Sequence, residues 1–110
     1  MIISGKIREL TNLIKRTEEY RRYQRVRIEL DQQAELKKQV DAFRIEKYRM
    51  QQFGADMYAA ADELHARYHF LMEDPLVLEY LELENTICKM IRETCDEIVQ
   101  EIPLDLPDIG

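Results

Sequence analysis

The chain is predicted to be all-α, and three observations carry that prediction. It holds three glycines and three prolines in 110 residues and lacks tryptophan, a composition unlike a turn-rich β-protein. Its charged residues reach 35% and its apolar residues 45%, the balance expected of helices with one solvated and one buried face. Apolar side chains also recur at gaps of three and four along most of its length, the helical period. Taken together these predict a single antiparallel helical bundle over residues 1–102, with one long coiled-coil-like helix that self-associates, followed by an extended tail over 103–110.

Four helices are expected, over about 4–15, 18–30, 33–72 and 75–101. Ser4 is a plausible N-cap for the first, in which Ile7, Leu10, Leu13 and Ile14 form the apolar side. Thr17 caps the second, with Glu18 and Glu19 in its first turn, where acids complement the helix dipole. Asp31 is placed to cap the third.

That third helix shows the strongest pattern. Leu36, Val40, Phe43, Lys47, Met50, Gly54, Met57, Ala61, Leu64, Tyr68 and Leu71 follow alternating gaps of four and three, the 3.5 period of a coiled coil. A continuous helix over these positions would be about 54 Å long. Its seam would need covering by the rest of the chain or by a second copy. Leu36, Val40, Phe43, Met50, Met57, Leu64, Tyr68 and Leu71 are therefore the expected dimer or packing seam. Gly54 would mark a close helix contact or a kink.

Asp74-Pro75 begins the last helix, since aspartate caps and proline fits the first helical position. Its apolar line runs Val77, Leu81, Cys88, Ile91, Cys95, Ile98 and Ile102, with Glu84 interrupting it and Tyr80, Ile87 and Thr94 widening it. Pro103 and Pro107 then exclude helix.

Charge divides the chain into halves. Residues 1–50 carry 13 Lys and Arg against 8 Asp and Glu, while residues 51–110 carry 3 against 14. Opposite halves attract, within one chain or between antiparallel copies. No apolar run has the length of a signal peptide or a membrane span, so a cytoplasmic protein without membrane contact is expected.

Four pieces in order are similar to the YlbF/YmcA family of small helical bacterial proteins. They are Arg16-Thr17-Glu18-Glu19-Tyr20-Arg21-Arg22-Tyr23, Leu36 to Phe43, Gln52-Phe53-Gly54, and the turn Asp74-Pro75-Leu76-Val77-Leu78-Glu79-Tyr80 with Leu81 to Glu84 after it. The resemblance implies a self-associating bundle, usually dimeric, with no catalytic activity of its own. It further implies a regulatory role in competence, sporulation and biofilm control. There the family acts with other small proteins, in a complex that modulates ribonuclease Y and mRNA processing and has been associated with iron–sulfur clusters. A homodimer, with a tetramer of paired dimers as the alternative, and further protein partners are thus expected. No resident cofactor and no enzymatic activity are assigned.

Residue chemistry supplies few rival sites. His65 and His69 stand four apart with Asp62 and Glu73 nearby, but lack the glutamate that follows the first histidine in a zinc hydrolase and lack a third oriented ligand. Two solvent-facing histidines are expected. Cys88 and Cys95 lie seven apart, about 10.5 Å along one helix, too far for an internal disulfide. Small apolar core positions are the favoured reading of both, with cluster ligation shared with a partner as the alternative. Glu84 interrupts an apolar line, so a buried carboxylate fixing register is expected, paired with Arg22, Arg25 or Lys47. The stretch Arg21, Arg22 and Arg25, interleaved with Tyr20 and Tyr23, is the expected partner surface. A nucleic-acid footprint is its alternative, which the acidic total disfavours. A small all-α enzyme ranks third, because a lone carboxylate does not make an active site.

Overall fold

The computed structural model describes residues 1–53 and 57–105, with the side chains of residues 53–60 left aside. Among the described residues there are six helices and no strand. They are α1 (Ile2–Lys15), α2 (Glu18–Asp31), α3 (Ala34–Phe53), α4 (Met57–Arg67), the single turn α5 (His69–Met72) and α6 (Pro75–Glu101).

Local chemistry sets two of the helix starts. Thr17 is extended, and its Oγ1 accepts the Tyr20 N–H at 3.3 Å while donating to the Ile14 carbonyl at 2.7 Å. One hydroxyl thus ends α1 and begins α2. Asp74 accepts the Leu76 N–H at 2.9 Å, with Pro75 in the first helical position. Elsewhere the expected caps do not hold. Ser4 lies inside α1, which starts at Ile2 without a side-chain cap. Asp31 is the last residue of α2, and the chain re-enters helix at Ala34.

The helix expected over 33–72 is not continuous. Across 25 residues of unbroken helix, Phe43 and Tyr68 would stand about 37 Å apart, yet their rings meet edge to face at 5.4 Å between centroids. Arg67 likewise reaches back to Glu46, with Nη1 3.2 Å from Oε1. α4 therefore runs back along α3. A second break falls at Tyr68, whose φ of −109° and ψ of 18° leave the helical region before α5. The 3.5-residue spacing survives both breaks because α3, α4 and α5 turn their apolar positions toward one common core. Gly54 lies outside the described residues, as do the Met57 side chain and Leu106 to Gly110 of the tail.

That core comprises Val26 and Leu30 of α2, Val40 and Phe43 of α3, Leu64, Leu71, and Val77, Tyr80 and Leu83 of α6. α2 and α6 make the most extensive helix contact. On α6 the inward stripe is Val77, Tyr80 and Leu83, continued by half-buried Ile87, Met90 and Thr94. From Tyr80 onward this stripe lies one residue to the N-terminal side of the expected line through Leu81, Glu84, Cys88, Ile91 and Cys95. Cys88, Ile91, Cys95, Ile98 and Ile102 are consequently exposed.

α1 buries no residue, and no residue of α6 beyond Leu83 is buried. The radius of gyration is 17.8 Å, against about 13 Å for a compact chain of roughly 100 residues. Much of the chain's apolar surface lies on helices that its own core does not cover.

Candidate functional site: charged helix faces around Tyr80

Tyr23 and Glu84, both singled out by sequence, lie where α2, α3 and α6 meet. Tyr80, 2% exposed, stacks on Tyr23 with centroids 5.4 Å apart. The Arg44 guanidinium lies 5.5 Å and the Lys37 ammonium 5.8 Å from the centre of the Tyr80 ring, within cation–π range. Lys37 donates to Asp41 at 2.8 and 2.9 Å, and Arg44 donates to Asp41 at 3.3 Å. Partial burial, then the hydrogen bond to Tyr80, pushes the Tyr23 phenol up to about 12. It stays protonated, as a half-buried packing group.

Glu84 is half-buried and ion-paired, but its partner is Arg44 of α3, with Nη2 3.0 Å from Oε2. The three expected partners are elsewhere. Arg22 donates instead to Glu79 at 2.9 Å, a bond that raises its pKa. Arg25 is exposed, and Lys47 is exposed along a groove between α3, α4 and α6. The face of α6 carrying Glu84 was readable from spacing, whereas the neighbour on that face depends on how α3 is threaded. Arg44 falls one residue after Phe43 on the apolar seam, so spacing alone did not select it.

Of the partner surface expected on α2, Arg21, Arg22 and Arg25 are exposed, while Tyr20 and Tyr23 are half-buried. Tyr20 accepts from Gln24 on its own helix. The surface is thus basic without projecting aromatic rings, unlike the stacking platforms of single-strand binders.

Of the seam residues, Val40, Phe43, Leu64 and Leu71 are buried in the chain's own core, and Leu36, Met50 and Tyr68 pack partly buried against it. The four buried positions are enclosed within the chain and do not face a second copy. Tyr68 is held near Glu46, where partial desolvation and a hydrogen bond to that carboxylate raise its pKa.

His65 and His69 sit on separate helices, α4 and α5, and both are exposed. His69 Nε2 is 3.3 Å from Glu73 Oε1. Among the described residues, no three His, Cys, Asp or Glu side chains are gathered as metal ligands. Cys88 and Cys95 are exposed free thiols, which corrects the expectation of core positions. The second half of α6 extends past the core that would have covered them. Two thiolates two turns apart do not make the four-thiolate set of an iron–sulfur cluster, so one chain's residues do not fit that group.

The groove beside Glu84 has a volume of about 760 Å³ and is lined by Phe43, Tyr48, Met72, Leu81 and Ile91, with Lys47 and His65 at its edges. It is an open helix–helix furrow. Its Arg44–Glu84 pair is mutually neutralised, an arrangement that ties helices together.

Residues 3–103 match the family model for control of the competence regulator ComK, YlbF/YmcA. The chain belongs to the YlbF/YmcA family. Membership covers all six helices, and with it the Thr17 and Asp74 caps and the Tyr23–Tyr80 contact between α2 and α6. The family is one of regulators, which gives this YlbF/YmcA chain a regulatory character. No curated protein and no solved structure matches the chain. Among the described residues, no helix is long and apolar enough to cross a membrane.

Proposed function

We propose that this YlbF/YmcA chain is a non-catalytic adaptor of the bacterial cytoplasm, which self-associates and acts by protein–protein contact to modulate ribonuclease Y-dependent mRNA processing. One observation carries most of the weight. Large apolar side chains on α1 and the outer part of α6, among them Ile2, Ile3, Ile7, Ile98, Val99 and Ile102, are 49–85% exposed. Monomeric proteins rarely leave such extended apolar patches uncovered, and contact surfaces do. Family membership supplies the regulatory direction, and the opposed charges of the two halves supply orientation on a partner.

The decisive experiment is deletion of the gene in its own bacterium, with RNA ends mapped across the transcriptome and light scattering of the purified protein. Loss of a defined set of ribonuclease-dependent ends, restored by the intact gene, and a dimer or larger assembly in solution are the expected results. An unchanged transcript pattern refutes the pathway, and a monomer refutes the self-association. The nucleic-acid alternative rests on exposed Arg21 and Arg25. It requires RNA binding that falls steeply with salt and disappears when both are neutralised.

A further inference from the structure

We infer that α1 of one copy packs on the outer half of α6 of a second copy, antiparallel, so that two chains exchange these helices about a two-fold axis. This rests on the self-association proposed above and specifies its surface. The seam expected to make a dimer is enclosed within each chain, at Val40, Phe43, Leu64 and Leu71, so association must use other apolar faces. Among the described residues, α1 and the outer half of α6 expose the largest groups of apolar side chains, and these two match.

On α1, Ile3, Ile7, Leu10 and Ile14 follow gaps of four, three and four. At the outer end, Ile91, Cys95 and Ile98 of α6 and Ile102 at its C-cap follow the same gaps. Each set makes a single stripe about 16 Å long, the repeat that lets side chains of facing helices interleave. Both stripes carry exposed apolar side chains. Ile3 and Ile7 are 60% and 57% exposed while Leu10 and Ile14 are half-buried; on the other stripe Ile91, Cys95, Ile98 and Ile102 are all exposed. On α6 this surface begins past Leu83, the last buried residue of that helix.

Charge selects the partner, and the helix dipoles select the direction. α1 carries Lys6, Arg8 and Lys15 against Glu9, whereas Ile87–Glu101 carries Glu93, Asp96, Glu97 and Glu101 against Lys89 and Arg92. Two copies of α1, or two outer halves of α6, would therefore bring like charges together, and the mixed pair brings opposite ones. In the antiparallel sense, Lys6 and Arg8 beside Ile7 approach Asp96, Glu97 and Glu101 beside Ile98 and Ile102. The positive N-terminal pole of α1 then also lies by the negative C-terminal pole of α6. A parallel pairing keeps opposite charges close but aligns both helix dipoles, so the dipoles favour the antiparallel sense. The two-fold arrangement repeats the contact twice and is self-complementary, as closed dimers require.

The test uses exposed positions in a Cys88→Ser, Cys95→Ser background. Ile7→Cys and Ile98→Cys are made in separate chains, mixed under reducing conditions to allow exchange, and then oxidised. A disulfide between the two singly substituted chains can form only across copies. A mixed covalent dimer on a non-reducing gel, confirmed by peptide mass, is expected. A parallel mixture of Ile28→Cys, exposed on α2, with Ile98→Cys should give little bond. In the otherwise wild-type chain, Ile7→Glu should weaken the dimer at least tenfold by sedimentation equilibrium without changing the helical signal. A dimer in solution that forms no Ile7→Cys to Ile98→Cys bond, or that bonds equally through Ile28→Cys, overturns this interface and leaves self-association standing. A monomer at every concentration overturns both. A doubly substituted chain that closes only an internal bond shows that α1 covers its own α6, which also overturns the exchange.

Discussion

The return of α4 along α3 is testable through the Phe43–Tyr68 ring pair. Phe43→Leu and Tyr68→Leu each keep an apolar side chain, so each should cost about 1 to 1.5 kcal/mol. Edge-to-face rings at 5.4 Å contribute about 0.5–1.5 kcal/mol beyond their buried area. The double variant should therefore lose less than the sum of the singles by about that amount. In a continuous helix the two positions would stand about 37 Å apart, and their effects would add within roughly 0.3–0.5 kcal/mol. Urea unfolding followed by circular dichroism supplies the four stabilities of the cycle. It should be run at protein concentrations about a hundredfold apart, because a contact between copies would make the coupling vary with concentration. Additivity at both concentrations refutes the hairpin. Coupling that changes with concentration refutes its being within one chain.

Leu64→Asp places a carboxylate at a position only 4% exposed, and should abolish the cooperative thermal transition. Leu64→Met should stay within about 1.5 kcal/mol of wild type. A Leu64→Asp chain that melts like wild type would remove Leu64 from the core. Arg44→Met should cost about 1 kcal/mol, a figure held down by the partial exposure of both partners. Adding Glu84→Leu should recover most of it in urea melts; no recovery would mean the loss comes from Arg44 over the Tyr80 ring. Thr17→Ala should cost about 1 kcal/mol by removing the cap of α2, whereas Thr17→Ser should be near neutral. The Tyr23 phenol has its pKa raised from 10.0 to about 12, so its contribution is complete below pH 10 and is lost as pH rises through 12. Tyr23→Phe should flatten the fall of melting temperature across that window, and an unchanged slope would place Tyr23 in solvent.

Local chemistry was legible in the sequence and threading was not. Thr17 and Asp74-Pro75 announce the starts of α2 and α6 because a cap needs only its own side chain and the next turn. The hairpin of α3 and α4 is hidden because a heptad pattern states that a face is buried and leaves its cover unnamed. The same eleven positions would serve a rod paired with a copy or a helix returning on itself. Glu84 illustrates the same boundary at a single residue. Its awkward place on an apolar line signalled a paired carboxylate, while the choice of Arg44 over Arg22, Arg25 or Lys47 needed the relative placement of α3. Cys88 and Cys95 were misjudged because an apolar stripe on a 27-residue helix was credited with burial along its whole length, when the core reaches only its first third.

α6 consequently has two thermodynamic halves. The part from Pro75 to Leu83 is held by side chains that cannot move without opening the core. The remainder, 18 residues from Glu84 to Glu101, leans on intrinsic propensity and partial contacts, near the length at which isolated helices are only marginally stable in water. Winding and unwinding at that end cost little, so hydrogen exchange should quicken steadily from Glu84 toward Glu101. A partner gripping the last turns would have to order them, and its affinity would carry that entropy. α6 is thus anchored by its first nine residues, and its grip on the rest of the fold slackens toward Glu101.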